Sequence, residues 1–404
     1  MVTLKRFLQS VGFPLVDRLI RPSKTITPKS LLIVRLDAIG DYILFRNFIE
    51  ILKRSERYSG YSITLLGNAA WKELAEKLDG EFIDHFMWIE RDKFAKNLLY
   101  RYRSLRQIAS RGYETVISPA YSRRLFFSDN VVKLVSAREK IGSRGDGAGM
   151  TTRQKRISDA YYTKLIDARS VPLFEFDRNR EFFENLLEAA PDIPRPSIRL
   201  QQKVLPARLP RKYALLFIGG SERFRKWDIE NVAALGGYLR QRYGYEIVVS
   251  GAKSDREDAL KFKNRYKGRY TDLVGRTSLA ELLGVIDGAS LMVSNESSAP
   301  HLVVALGIPD IFVISNGNHF GRFIPYPDAM APNYHPIFPP EIDVSPHRYR
   351  EMCDRYGPGS TLDINAVSVD TVIKTIDEIL RVKYDDAVPS HNTPDPNAGN
   401  AYDE

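Results

Sequence analysis

The sequence predicts an α/β protein of two Rossmann-like, doubly wound domains facing each other across a cleft, and three observations predict it. Short, continuous, β-branched apolar runs alternate with Gly-containing turns and stretches of helical period. A Pro-dense segment with Pro191, Pro194, Pro196, Pro206 and Pro210 then interrupts the pattern. After it, at Tyr213, the same alternation restarts. Continuously apolar strands separated by helices indicate parallel sheet covered on both faces.

The first domain, residues 25–192, opens with a strand at 31–36, followed by a helix at 41–57, a strand at 62–66, a helix at 70–78 and a strand at 115–118. Residues 193–210 read as the linker, because prolines remove amide donors and disfavour regular elements. The second domain, residues 211–366, repeats the order. Strands are predicted at 213–218, 246–250, 291–294 and 311–314, and helices at 229–242, 255–266, 279–286 and 300–306. Residues 367–384 hold a last amphipathic helix, expected to cross back onto the first domain. Residues 385–404, rich in Pro, Asn, Asp and Gly, read as a disordered tail, and residues 1–24 as a basic N-terminal segment.

With 404 residues, 43% of them apolar, the chain can bury large cores. Its single cysteine, Cys353, excludes an intrachain disulfide framework and leaves no cysteine cluster of zinc-ligand spacing. No apolar run reaches the roughly 18 residues that span a bilayer. Gln9, Ser10 and Pro14 interrupt what would be a signal-peptide core, so the protein is expected to be cytoplasmic. A net charge of +9 calls for anionic partners: nucleic acid, a phospholipid surface or a phosphorylated substrate. Residues 91–111 interleave Arg91, Lys93, Lys96, Arg101, Arg103, Arg106 and Arg111 with Phe94, Leu98, Leu99 and Leu105. That spacing is a basic amphipathic helix, either a solvated face over a core stripe or, with Lys5, Arg6, Arg18 and Arg21, a docking face for an anionic membrane.

Three segments carry chemistry. Arg35-Leu36-Asp37-Ala38-Ile39-Gly40-Asp41 ends a buried strand in a turn that opens a helix, where ligands of open α/β sheets bind. Asp41 there reads as a site carboxylate or as a helix-capping one, and Asp37 is the alternative acid. Gly219-Gly220-Ser221-Glu222-Arg223-Phe224-Arg225-Lys226-Trp227 places glycines and three cations after a strand, suited to a diphosphate or to an ordinary charged surface loop. Ser294-Asn295-Glu296-Ser297-Ser298-Ala299-Pro300-His301 offers Ser298 as N-cap and Pro300 in the first turn of a helix whose amides would face a phosphate. His301 is either within reach of that phosphate or a core histidine.

Together these motifs resemble the heptosyltransferase family, glycosyltransferase family 9. Members carry an Ile-Gly-Asp turn, matched by Ile39, Gly40 and Asp41; the resemblance implies that Asp41 is the catalytic base that activates the acceptor. A basic residue ahead of Trp contacts the donor diphosphate, matched by Arg225 and Lys226 before Trp227. The family's Asp-Thr-Gly signature with a following His stands here as Glu296-Ser297-Ser298 with His301, and the segment from Gly251 to Glu257 resembles the nucleotide-ribose loop. The implied fold is GT-B. The implied donor-diphosphate set is Gly220, Arg225, Lys226, Ser297, Ser298 and His301, with Glu296, Gly251 and Glu257 for the nucleotide and sugar, and Asp37 and Gly40 on the acceptor side. Asn316 to Arg322 follows the last strand and is a weaker candidate.

The resulting expectation is an inverting glycosyltransferase that moves a sugar from an ADP-heptose-like nucleotide donor to an acceptor hydroxyl of lipopolysaccharide core or another surface glycan. No cofactor and no metal is expected, since a cationic loop and a helix end serve the leaving group and no Asp-x-Asp signature lies near. Expected partners are the nucleotide sugar, a glycan or lipid-linked acceptor and an anionic membrane at the inner face of the cytoplasmic membrane, without nucleic acid. Two alternatives are a GT-B sugar-nucleotide epimerase and a non-catalytic membrane- or nucleic-acid-binding protein on a degenerate transferase scaffold.

Overall fold

Both apolar runs that open the halves of the chain become inner strands of parallel sheets. In the computed structural model, which describes residues 8–206 and 208–386, the first sheet contains β1 (Thr27–Arg35), β2 (Ser62–Asn68), β3 (His85–Ile89), β4 (Tyr113–Ser118), β5 (Ala137–Ser143) and β6 (Lys164–Ile166). Their order is β3-β2-β1-β4-β5-β6. The second sheet contains β7 (Tyr213–Phe217), β8 (Glu246–Ser250), β9 (Tyr270–Asp272), β10 (Leu291–Asn295), β11 (Asp310–Ile314) and β12 (Tyr334–Ile337), ordered β12-β11-β10-β7-β8-β9. Leu31 and Ile33 face one core cluster while Leu32 and Val34 face another, so β1 is buried on both sides, as its unbroken apolar run requires. The architecture is the expected α/β GT-B fold.

The clusters show what joins the halves. One continuous core takes Phe45, Phe48, Phe176 and Phe183 from the first half and Met292, Val303, Val304 and Tyr326 from the second. Each fully buried apolar side chain of this size stabilises by about 1.5–3 kcal/mol. Beside this core, Ile198 of the linker donates its amide to the Ala305 carbonyl at 2.8 Å.

Several expectations need correction. The predicted helix at 41–57 starts earlier and is two helices, Ile39–Phe45 and Asn47–Arg54. Arg46 between them keeps helical dihedrals while its side chain reaches the Ser197 carbonyl at 2.5 Å and Asp79 at 2.7 Å. Among the described residues, the C-terminal helix Val369–Asp386 packs on the second half instead of crossing to the first. Val372, Ile376 and Leu380 join the core of the second half, and Asp377 accepts from the Tyr238 and Tyr243 hydroxyls on the helix Ile229–Tyr243. Asp385 and Asp386 belong to this helix. The remainder of the expected tail, like Lys5 and Arg6, lies outside the described residues.

The predicted basic helix is also divided, into Arg91–Lys96 and Leu98–Ala109, with Asn97 capping the second by accepting from the Tyr100 amide at 2.9 Å. Arg101 is not on a solvated face; it is 0% exposed. The N-terminal helix Phe13–Leu19 covers it, so the guanidinium lies 3.8 Å from the Phe13 ring centroid and 4.3 Å from that of Phe94. It donates to the carbonyls of Phe94 and Phe126 and to Asn130 Oδ1 at 2.6 Å, and burial pushes its pKa down to about 10. Replacing Arg101 with Ala removes these bonds and ring contacts together, and should cost about 3 kcal/mol in urea unfolding. A change within about 0.5 kcal/mol, the usual range for surface substitutions, would contradict this placement.

Candidate active site

Where strand order reverses in a doubly wound sheet, successive connections leave on opposite faces and open a crevice at the carboxyl ends of the strands. Here the reversals fall between β1 and β4 and between β7 and β10. The Asp41 turn follows β1, the Arg225 loop follows β7 and the Ser297 turn follows β10. All three line one cavity of about 420 Å³ between the sheets. A larger cavity, of about 1210 Å³, lies between the helix Asn47–Arg54 and the linker, and none of the sequence-predicted site residues lines it.

Asp41 is half-buried in the first turn of its helix. It caps its helix, Oδ2 accepting from the Ala38 amide at 3.2 Å, and it also lines the cavity. Burial and the carboxylates of Asp37 and Glu175 push its pKa up to about 7, against the opposing pull of Arg35 and Arg322. Beneath it, Arg35 pairs with Asp37 at 2.9 Å and with Glu175 at 3.2 Å. Glu175 also accepts from Arg322 Nε at 3.0 Å. Asp37 does not line the cavity. Its carbonyl instead accepts from Asn68 and from the Trp71 indole, which fixes the turn.

Across the cavity, Arg225 donates to Glu296 Oε1 at 3.2 Å, while Ser315 donates to Oε2 at 2.7 Å. Burial holds Glu296 above the usual carboxylate range, partly offset by Arg225 and Ser315. Asn295 ties the two loops together: Oδ1 accepts from the Trp227 amide at 3.0 Å, and Nδ2 donates to the carbonyls of Ile218 and Gly219. The helix Ala299–Leu306 begins here, with Pro300 in its first turn. Its expected cap is displaced by one residue. Ser298 makes no side-chain cap bond, whereas Ser297 Oγ accepts from the Ala299 amide at 3.3 Å.

His301 is buried, as its core reading expects, and also lines the cavity. Its Nδ1 is 2.6 Å from the Tyr326 hydroxyl, and burial lowers its pKa to about 4, leaving a neutral ring. A Cβ on Gly40 would stand 2.7 Å from His301 Cδ2, closer than carbon atoms approach. Glycine at 40 is therefore what lets the two halves touch at the base of the cleft.

Of the predicted residues, the structure gathers Asp41, Gly40, Gly220, Arg225, Glu296, Ser297, Ser298 and His301 around the cavity. It does not gather Lys226, Gly251 or Glu257. Lys226 is outside the lining, paired with Asp255, which does line the cavity, at 2.5 Å and with Asp258 at 3.0 Å. Gly251 is buried behind the lining, where a Cβ would meet Asp255. The Glu257 side chain is 81% exposed and pairs with Lys261 on the surface of its helix. Sequence reasoning missed Arg91 and Phe323 in the lining and Glu175 beneath it, while His319 lines the cavity from the weaker candidate segment Asn316–Arg322 and Asp255 from within the predicted Gly251–Glu257 loop, where neither was singled out.

Comparison with known proteins fixes the class. A family model described as glycosyltransferase family 9 (heptosyltransferase) matches residues 101–329, more than half of the chain. The chain belongs to glycosyltransferase family 9. Among solved structures, this family 9 chain superposes on the family 9 glycosyl transferase of Veillonella parvula with a TM-score of 0.66 at 16% identity, over 89% of this chain and 99% of that one. It superposes on the E. coli heptosyltransferase WaaC, solved with ADP-2-deoxy-2-fluoro heptose, with a TM-score of 0.62 at 17% identity, over 87% and 99%. The E. coli ADP-heptose lipopolysaccharide heptosyltransferase II gives 0.62 at 15% identity, over 88% and 99%. At such identities the likeness is one of fold. A sequence search of curated proteins returns no match. The family 9 chain is a glycosyltransferase, and no helix among its described residues is long and apolar enough to cross a membrane.

Proposed function

We propose that this glycosyltransferase moves a sugar from a nucleotide diphosphate donor, of the ADP-heptose type, to an acceptor hydroxyl on lipopolysaccharide core or another surface glycan, with inversion and without a metal. One observation carries the proposal: a carboxylate poised near neutrality and a cationic, amide-rich loop pair converge on a single cavity from the switch points of opposite sheets. ADP-2-deoxy-2-fluoro heptose in the WaaC structure supports the donor class.

In this reading the donor diphosphate lies against Arg225, the Gly220 loop and the start of the helix Ala299–Leu306. Asp41 takes the proton of the acceptor hydroxyl as its oxygen attacks the anomeric carbon. The bond from that carbon to the diphosphate oxygen breaks on the opposite face. The departing charge is received by Arg225 and the helix end. Asp41 lies outside the 101–329 segment, so its role rests on position and environment.

The side of the protein formed by the helices Phe13–Leu19 and Leu98–Ala109 suits a membrane-borne acceptor. Leu15 is 53%, Leu19 64% and Leu99 56% exposed, beside the exposed Arg18, Arg21, Arg103 and Arg106. We assign this face to an anionic bilayer at the cytoplasmic side, each cation near it contributing about 1 kcal/mol.

Asp41→Asn keeps shape and removes basicity, so turnover should fall by about 10²- to 10⁴-fold with donor binding retained. Because the base works deprotonated, parent activity should fall as pH drops through about 7. Because folding raises this carboxyl from 3.8 to about 7, it costs the native state stability progressively between those pH values and in full above them, so Asp41→Asn should also raise the melting temperature above pH 7. A variant that keeps parental turnover removes the base assignment.

Arg225→Gln should weaken ADP binding in calorimetry by about 10- to 100-fold, the worth of a charged hydrogen bond, whereas Lys226→Gln, already satisfied by two carboxylates, should cost less. The reverse order would place Lys226 on the diphosphate. Binding to phosphatidylglycerol vesicles should weaken as salt rises and in the combined Leu15→Ser and Leu19→Ser variant. Binding that ignores both salt and the double substitution would exclude this face.

A further inference from the structure

His301 meets the cavity with one nitrogen and the core with the other. It lies in the first turn of the helix Ala299–Leu306, and its partner Tyr326 lies between β11 and β12. The Tyr326 ring is wedged between Phe174 of the first half, at 4.5 Å between centroids, and Tyr334 of β12, at 5.0 Å. That packing leaves Tyr326 3% exposed and outside the cavity lining. The opposite edge of the imidazole is turned to Gly40, a lining residue: a Cβ there would stand 2.7 Å from His301 Cδ2 and 3.2 Å from Nε2. Among the described residues, none bonds to Nε2.

The hydrogen-bond partners decide where the imidazole hydrogen sits. Burial lowers the His301 pKa to about 4, so the ring is neutral and only one nitrogen carries a hydrogen. The Tyr326 hydroxyl, at 2.6 Å from Nδ1, has no other hydrogen-bond partner among the described residues. The neighbouring Tyr334 hydroxyl makes no hydrogen bond to it. Were the hydrogen on Nδ1, that nitrogen would donate to the phenol oxygen, and the phenol hydrogen would be buried with nothing to accept it. With the hydrogen on Nε2, the phenol donates to a bare Nδ1 and both groups are satisfied.

This choice sets the sign of what His301 shows the cavity. An Nε2–H offers a hydrogen to an oxygen anion, whereas a bare Nε2 would turn a lone pair toward it. Arg225 and the amides at the start of the helix Ala299–Leu306 offer hydrogens at the same end of the cavity. A lone pair among them would oppose the ligand they attract.

We propose that Tyr326 is a positioning residue that holds His301 as the Nε2–H tautomer, so that the imidazole donates a hydrogen bond to the diphosphate of the donor. Tyr326 acts through His301 and touches no reacting atom. The diphosphate contact rests on the donor reading given above; the tautomer does not.

The tautomer can be read in the full-length chain without nucleotide, by nitrogen NMR of protein carrying isotopically labelled histidine, the His301 signals being those lost in His301→Gln. In the parent, Nε2 should give a pyrrole-type signal with its attached hydrogen, and Nδ1 a pyridine-type signal. The reverse pattern would overturn the proposal. Tyr326→Phe keeps the ring and removes the hydroxyl, so the two nitrogen signals should move toward each other as the second tautomer becomes populated. ADP affinity in calorimetry should fall by about 2- to 10-fold, the worth of one neutral hydrogen bond. Loosened packing alone would weaken ADP without moving the nitrogen signals, so signals that stay at their parental positions remove the role of Tyr326 even if affinity falls. Signals that move with ADP affinity unchanged remove the diphosphate contact. If Tyr326→Phe does not fold, the parent decides by its own tautomer and by ADP titration: an Nε2 signal that ignores saturating ADP excludes the contact. A parent that binds no ADP would instead sink the donor reading, while the pattern without nucleotide still decides the tautomer.

Discussion

The buried carboxylate of Glu175 holds one guanidinium from each half of the chain, and the rest of the cleft is arranged around that fact. An unpaired charge in such surroundings would cost several kcal/mol, so each of Glu175, Arg35 and Arg322 is tolerated only because the others are in place. The helix Glu175–Leu187 is set by Phe183 stacking on Phe48 and Phe176 packing tilted against it, at centroid distances of 5.1 Å and 5.3 Å. The aromatic packing of the first half therefore fixes where the second half may place its arginine. Stability and site geometry share the same residues here, and neither can be altered alone.

The two loop systems on the other side show the same economy. Asn295 uses its amide to join the ends of β7 and β10, so the cationic loop and the helix start are held as one unit. Glu296 then fixes Arg225 without neutralising the whole loop, since Arg223 is directed to Asp228 and Asp258 outside the cavity. The overall charge of +9 is consequently a poor guide to charge in the cleft. Of the loop's three cations, Arg225 alone lines the cavity.

The sequence revealed the fold because β1, β7 and β10 are continuous apolar runs closed by polar turns, and Asp41, Gly220 and Ser297 were found because they sit at the ends of those runs. What it could not resolve was which side of a turn a side chain takes. Arg225 and Lys226 are neighbours, and a short 3₁₀ turn at Arg223–Arg225 decides that the first faces the cavity. Asp255, two residues before Glu257, folds back on the Ala252 amide at 2.7 Å and takes the place expected of the glutamate. Glu175 and Arg322 are 147 residues apart, and no local pattern marks an ion pair across halves. The amphipathic period of Val369–Asp386 said that one face is buried, not which half buries it. Arg101 was misread for a like reason: the helix that covers it comes from another part of the chain.

The helix Ala299–Leu306 has a consequence of a different kind. Attraction for an anion at its first turn comes from peptide dipoles and amide protons, which do not titrate anywhere in the physiological range. Asp41 across the cavity does titrate. In the proposed reaction, acidification would therefore silence proton removal while leaving the grip on a nucleotide diphosphate intact. A cell growing in mild acid would accumulate enzyme already loaded with unreacted donor rather than empty enzyme, and on neutralisation transfer would resume without a fresh donor-binding step.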